Sequence, residues 1–124
     1  MKNELKIYCY TGCGTCRKAL QWLNTQGIPY QVFPIREQPP TRTELQGAFI
    51  QYGVLRKLMN TSGADYKTMG LKDTLPQLST DQAFELLSTH GNLVKRPFVV
   101  LPQGGYLVGF SEAEWSTSLG VSRA

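Results

Sequence analysis

The pair Cys13-Gly-Thr-Cys16 constrains this chain more than any other feature, because of what flanks it. Before it, Leu5-Lys-Ile-Tyr-Cys9 starts with apolar and polar residues alternating and carries a β-branched and an aromatic member, which is a strand pattern. After it, Ala19, Leu20 and Leu23 follow Cys16 at offsets of three, four and seven, one face of a helix, and Gly27 supplies a stop. Thr11-Gly12 turns the chain between them. Tyr30-Gln-Val-Phe33 reads as a second strand, and the connection through the helix predicts that the two strands run parallel. The chain has three cysteines, an odd number and too few for a secreted disulfide scaffold. Two thiols one turn apart at a strand-to-helix junction predict a redox site in a cytoplasmic protein.

Farther along, Thr41-Arg-Thr-Glu44 has capping-box spacing, with Leu45, Ala48, Phe49 and Tyr52 at helical intervals behind it. Gly53 interrupts, Leu55 to Met59 predicts another short helix, and residues 64–78 read as irregular or as short turns. Ser79-Thr-Asp-Gln82 is a second capping box, opening a helix through Ala83, Phe84 and Leu87 to His90-Gly91. Pro97-Phe-Val-Val-Leu101 and Tyr106-Leu-Val-Gly-Phe110 around Pro102-Gln-Gly-Gly105 form a hairpin. Ser111-Glu-Ala-Glu114 is a third capping box, with Phe110 and Trp115 placed as a hydrophobic staple. Setting the middle helices aside leaves βαβ–α–ββα. That order resembles a thioredoxin-like core, an α/β fold with a mixed four-stranded sheet, here with a helical insertion at about residues 40–75. Residues 1–124 are read as one domain, since 124 residues fit one core and no repeat or low-complexity stretch divides them.

At the strand-to-helix junction the Cys13 sulfur should face the unpaired N–H groups of the first helical turn, which favour a thiolate, the nucleophilic form. Cys16 is near enough to attack a mixed disulfide formed at Cys13, and Gly12, Gly14 and Thr15 keep the loop small. Arg17 and Lys18 add positive charge nearby. Cys9 falls within the strand, where a buried, inert core thiol is expected. Cys9, Cys13, Cys16 and His90 make a formal zinc set, but a second Cys-x-x-Cys or a His pair is missing, so no metal site is expected. His90, at a helix end, is read as solvent-exposed or as a favourable C-terminal charge. In a thioredoxin-like fold the Arg96-Pro97 bond is expected to be cis and packed against the Cys13 loop. Arg96 would then point toward Cys13, where its fork of donors stabilises a thiolate or holds an oxyanion.

The charge balance is +4, and six of the thirteen basic residues lie in the doublets Arg17-Lys18, Arg56-Lys57 and Lys95-Arg96. No basic run exceeds two residues, so an anionic ligand or acidic surface is expected rather than direct nucleic-acid binding. No apolar run approaches the ~18 residues that span a membrane. The polar start runs straight into the first strand, so neither a signal peptide nor a membrane association is expected. A monomer is expected.

Cys13-Gly-Thr-Cys16-Arg-Lys-Ala19, Glu37-Gln-Pro-Pro-Thr41, Asn60-Thr-Ser-Gly63, Lys95-Arg-Pro-Phe98 and Val108-Gly-Phe110 together resemble the arsenate reductase/Spx family, in order and spacing, over roughly residues 5–119. Arsenate reductases of this type use one nucleophilic cysteine in this loop and three arginines that hold the oxyanion. Cys13 matches the nucleophile and Arg96 one arginine. The arginine after the short insert helix is replaced by Asn60, and the one after the last strand by Gly109; Arg56 is nearby but off the motif position. The second cysteine resembles the Spx branch, regulators that bind the RNA polymerase alpha subunit under a redox switch, although the tail after Gly120 is shorter than theirs. The Asn60-Thr-Ser-Gly63 form resembles the YffB-like members, some of them thought to be glutathione-dependent thiol reductases.

The resemblance therefore leaves three readings open. The first is a thiol–disulfide oxidoreductase with Cys13 attacking and Cys16 resolving, linked to glutathione or thioredoxin as reductant, with a small thiol, a disulfide protein or an oxyanion as substrate and no bound cofactor. The second is a redox-switched partner of RNA polymerase alpha. The third is an arsenate reductase with an incomplete arginine clamp.

Overall fold

Strand β1 (Leu5–Cys9) lies inside the sheet, and its period of two sends alternate side chains into two different cores. The computed structural model describes residues 4–10 and 12–120. Residues 1–3, Thr11 and residues 121–124 lie outside them, and so do the polar start, half of the Thr11-Gly12 turn and the tail after Gly120. The sheet order is β2-β1-β3-β4. β2 (Tyr30–Pro34) runs parallel to β1, β3 (Phe98–Val100) antiparallel to it, and β4 (Tyr106–Val108) antiparallel to β3. This is the thioredoxin-like mixed sheet expected from the element order. Pro34 is tolerated because β2 is an edge strand, where a missing N–H breaks no ladder.

On one face, Leu5, Ile7 and Cys9 of β1 pack with Val99 and Leu107 against α1 (Gly14–Gln26) and α6 (Glu112–Leu119). The buried residues of α1 are Cys16, Ala19 and Leu23, three of the four on the predicted stripe, and Gly27 closes the helix at φ 69°. On the other face, Tyr8, Phe98 and Val108 meet the insertion and α5 (Thr80–Thr89). The insertion runs through α2 (Arg42–Tyr52), a 3-10 turn at Leu55–Leu58, α3 (Ala64–Thr68) and α4 (Leu71–Thr74). Among the described residues, no helix is long and apolar enough to cross a membrane.

Three local expectations change. The predicted helix from Leu55 to Met59 is a single 3-10 turn, because the backbone at Met59 turns extended to bridge Val94. Residues 64–78, read as irregular or turns, contain α3, α4 and a 3-10 turn at Leu75–Gln77. Each piece is too short to show a period, yet Tyr66, Leu71 and Leu75 are all buried in the same core. Burial of each contributes roughly 1.5–3 kcal/mol, which outweighs weak local propensity. β4 ends at Val108 because Gly109 turns to φ 75° and its N–H donates to the Pro97 carbonyl (2.9 Å).

The capping boxes at Thr41 and Ser79 form with both reciprocal bonds. The third is half-formed. Ser111 accepts from the Glu114 N–H (3.2 Å), but the Glu114 carboxylate accepts instead from the Tyr52 hydroxyl (2.8 Å), which fastens α6 to the insertion. The staple is present, with the Phe110 and Trp115 rings 4.9 Å apart and nearly perpendicular. Glu44 does more than cap α2. Its carboxylate also accepts from Lys6 Nζ (2.8 Å) and Tyr8 Oη (2.7 Å), pinning the insertion to β1.

Burial of Glu44 opposes ionisation, but the bonds from Lys6, the Thr41 N–H and Tyr8 outweigh it and hold the carboxyl below its ordinary value. A carboxyl lowered on folding stabilises the protein above the unfolded carboxylate range, and that contribution is lost as pH falls through the folded value. Glu44→Gln is expected to cost about 1–3 kcal/mol at pH 7. It should also flatten the fall in stability below about pH 4. Urea unfolding at pH 7 and pH 3 measures both, and equal midpoints at pH 7 would refute the anchoring role.

Candidate active site

Cys13 is the N-cap of α1. Its backbone is extended (φ −93°, ψ 117°), and its Sγ accepts from the Cys16 N–H at 3.4 Å. The expected contact between this sulfur and the helix N-terminus is therefore present. The loop is held by Cys13 N–H donating to the Tyr10 carbonyl (3.0 Å) and Arg17 N–H donating to the Cys13 carbonyl (3.2 Å). Cys13 is half-buried, while Cys16, on the inward face of the helix, is 2% exposed.

The Cys16 sulfur lies in one cluster with Cys9 and Cys13. The neighbouring Cys9 thiol is the largest influence favouring its ionised form, followed by the Tyr10 backbone, Cys13 and the charge of Arg96. Together these outweigh burial and bring Cys16 down to about 6. The same contact, with burial, pushes the Cys9 thiol far up. Cys9 is buried as predicted, but it is not the isolated core thiol that its place in a strand suggested, because β1 ends directly beneath the first turn of α1. All three cysteines are free thiols. Among the described residues, no group of three or more His, Cys, Asp or Glu side chains is arranged to hold a metal ion. His90 ends α5 with Nδ1 3.0 Å from the Thr89 hydroxyl and 3.1 Å from the Leu86 carbonyl.

The Arg96-Pro97 bond is cis, and Pro97 is buried. The Arg96 guanidinium lies over the Tyr10 ring, 5.3 Å from its centroid, with Arg36 over the same ring at 4.7 Å. Arg96 Nη1 is buried without a hydrogen-bond partner. An orphaned buried donor on a cation is costly, so it marks where an anion or polar ligand gains most.

Arg96 stands between two cavities. One, about 240 Å³, is lined by Tyr10, Arg36, Asn60, Asp65 and Asn92; the other, about 280 Å³, by Thr15, Lys57, Lys95, Gly109 and Glu114. Two of the three basic doublets thus meet beside the loop. The fold brings them together through the Met59–Val94 bridge and the Lys95 N–H donating to the Leu58 carbonyl (2.9 Å).

The other predicted residues are placed as follows. Asn60 reaches the Arg96 cavity, its N–H donating to the Leu93 carbonyl (2.8 Å) and its amide to the Asn92 carbonyl (3.4 Å). Gly12 is exposed, and a side chain there would run into the Tyr10 ring. Gly14 and Thr15 are exposed at the start of α1. Arg17 is exposed at the rim of a crevice of about 460 Å³ that also reaches Cys9 and Cys16. At Gly109, φ 75° disfavours any side chain, and a Cβ would stand 3.0 Å from Lys95 Cε, so the backbone closes the position where the resemblance expects a third arginine. Sequence reasoning missed Tyr10, Arg36 and Asn92. Nothing local marks them, since they converge only through the sheet and the turn before β3.

The ArsC family model matches residues 8–118. The Bacillus subtilis protein YusI is 40% identical over 90% of this chain and 95% of its own length. An arsenate reductase of Rhizobium meliloti is 33% identical over 86% of this chain and 75% of its own. Among solved structures, an ArsC family related protein from Bacteroides fragilis superposes with a TM-score of 0.84 at 37% identity, covering 92% of this chain and 96% of that one. A matching family model over most of the chain, relatives at this identity and a common fold lead to one conclusion: the chain belongs to the ArsC family.

Proposed function

We propose that this protein is a thiol–disulfide oxidoreductase of the ArsC family. The observation that carries the reading is the Cys13–Cys16 pair itself, one sulfur reachable at a helix N-terminus and the other buried one turn behind it. Cys13 attacks a substrate disulfide and forms a mixed disulfide. The Cys13 proton goes to solvent, and the departing thiolate takes a proton from solvent. Cys16 then attacks Cys13, forms the Cys13–Cys16 bond and releases the second substrate thiol. The substrate disulfide gains two electrons and the two cysteines lose them. Glutathione or thioredoxin returns the protein to the dithiol. The cationic wall of Lys57, Lys95 and Arg96 suits a substrate or reductant that carries carboxylates.

Turnover of a small disulfide with glutathione, and separately with thioredoxin, tests this. Steady reduction with either supports it, and no turnover with both rejects it. A second reading, oxyanion reduction, is favoured by the unpartnered Arg96 Nη1 and by relatives named arsenate reductases. Asn60 and Gly109 weigh against a full clamp. Arsenite formation from arsenate under the same reductants separates the two readings.

A further inference from the structure

We propose that Arg36 is a substrate-binding residue: with Arg96 it holds an anionic oxygen group, such as the carboxylate of a disulfide substrate, in the cavity beside Tyr10. The proposal rests on the exchange reading of Cys13 and Cys16 above. The Arg36 guanidinium lies 4.7 Å from the centroid of the Tyr10 ring and that of Arg96 5.3 Å from it, so one ring orients both cations. Both arginines and Tyr10 line the same cavity of about 240 Å³. Two cations facing one small space repel each other, and an anion between them relieves that repulsion. Among the described residues, no carboxylate forms an ion pair with either guanidinium, and Arg96 Nη1 is buried without a hydrogen-bond partner.

The remaining polar side chains of the cavity are committed to one another. The Asn60 amide donates to the Asn92 carbonyl (3.4 Å), and the Asn92 amide donates to the Asp65 carboxylate (3.1 Å). Asp65 is the one acid in the lining, so the lining keeps a net positive charge. The cavity adjoins the thiol loop through Tyr10. The Tyr10 carbonyl accepts from the Cys13 N–H (3.0 Å), and the Tyr10 ring lies so close to Gly12 that a Cβ there would stand 2.7 Å from it. A substituent on a disulfide opened at Cys13 therefore meets the ring and the arginines over it. The backbone at Arg36 is fixed on both sides. The Ile35 N–H donates to the Cys9 carbonyl (2.9 Å), and the Glu37 and Gln38 N–H groups donate to the Pro34 carbonyl (3.1 and 2.7 Å). The Arg36 side chain is exposed, so replacing it leaves the core intact.

The test uses the full chain and two chromogenic aromatic disulfides, 5,5′-dithiobis(2-nitrobenzoic acid), with a carboxylate on each half, and the neutral 2,2′-dithiodipyridine. Cys13 gives its proton to solvent, takes one half of either reagent as a mixed disulfide and releases the other half as a thiolate. The readout is the ratio of the two first-release rate constants, anionic over neutral, in which any change in Cys13 reactivity itself cancels. In Arg36→Gln the ratio should fall about tenfold, the worth of one charge-assisted hydrogen bond. Lys18→Gln removes an exposed charge outside the cavity and should change the ratio by less than about twofold, since solvent and salt screen it. Asp65→Asn should raise the ratio. Sulfate, compared with chloride at equal ionic strength, separates the sources of the anion. Slowing of the anionic reagent by sulfate that Arg36→Gln relieves shows that the cavity also takes a free oxyanion. A fall in the ratio without a sulfate effect assigns it to the substrate carboxylate alone. An unchanged ratio in Arg36→Gln, or an equal fall in Lys18→Gln, overturns the role of Arg36. A first release in the wild type that is never followed by a second overturns the exchange reading and leaves the ratio readable.

Discussion

Cys13→Ser is expected to lower disulfide reduction by about a thousandfold or more, because the hydroxyl that replaces the thiol is a poor nucleophile near neutral pH. Cys16→Ser should behave differently. Cys13 remains at the helix N-terminus, and its attack on a disulfide does not require Cys16 to form a bond. The mixed disulfide then has no neighbouring sulfur to resolve it, so the variant accumulates as a covalent adduct that intact mass spectrometry detects. The asymmetry follows from exposure, since Cys13 is half-buried and Cys16 only 2% exposed. Full turnover in Cys13→Ser, or an adduct on Cys16 in place of Cys13, would reverse the assignment of roles.

Gly91→Ala is the second substitution expected to act strongly, and here the effect is on stability. Gly91 is buried at the start of the 3-10 turn Gly91–Leu93 that follows α5. A Cβ there would lie 1.8 Å from the Ile35 carbonyl oxygen, 2.7 Å from its carbon and 3.0 Å from Arg36 Cα. All three are backbone atoms, so no rotamer change relieves the overlap. Ile35 is itself fully buried. Either the turn or the strand exit must move, at about 3 kcal/mol or more. For a chain of this size that corresponds to a melting temperature lower by roughly 10 °C. A thermal melt showing a loss under about 1 kcal/mol would mean that the chain relaxes there cheaply. Because Arg36 directly follows Ile35 and lies over Tyr10, Gly91→Ala should also disturb the Arg96 cavity.

Much of this fold is visible in the sequence because its elements are locally consistent. The stripe Cys16, Ala19, Leu23 and the stop at Gly27 describe α1 as it is found. The capping boxes at Thr41 and Ser79 hold because both partners lie within one turn, and the Glu44 carboxylate accepts from Lys6 and Tyr8 while still accepting from the Thr41 N–H. At Ser111 the same pattern half-fails, because Tyr52, from another element, takes the Glu114 carboxylate. The insertion after the 3-10 turn at Leu55–Leu58 was the least legible part. Its short helices are selected by burial of Tyr66, Leu71 and Leu75 against the sheet, and no run there is long enough to carry a period.

Sequence alone determined the strand–loop–helix setting of Cys13 and Cys16, the family resemblance and the place of Arg96 before Pro97, because each depends on spacing within a few residues or on motif order. Tertiary structure decided the chemical surroundings of those residues. It set Cys9 against Cys16 by ending β1 beneath α1. It stacked Arg36 and Arg96 on Tyr10. It joined Lys57 and Lys95 beside the loop through the Met59–Val94 bridge and turned Gly109 away from any side chain. The ionisation of a buried sulfur depends on which donors and charges stand within a few ångströms of it, and those arrive from sequence-distant elements that only the packed sheet brings together.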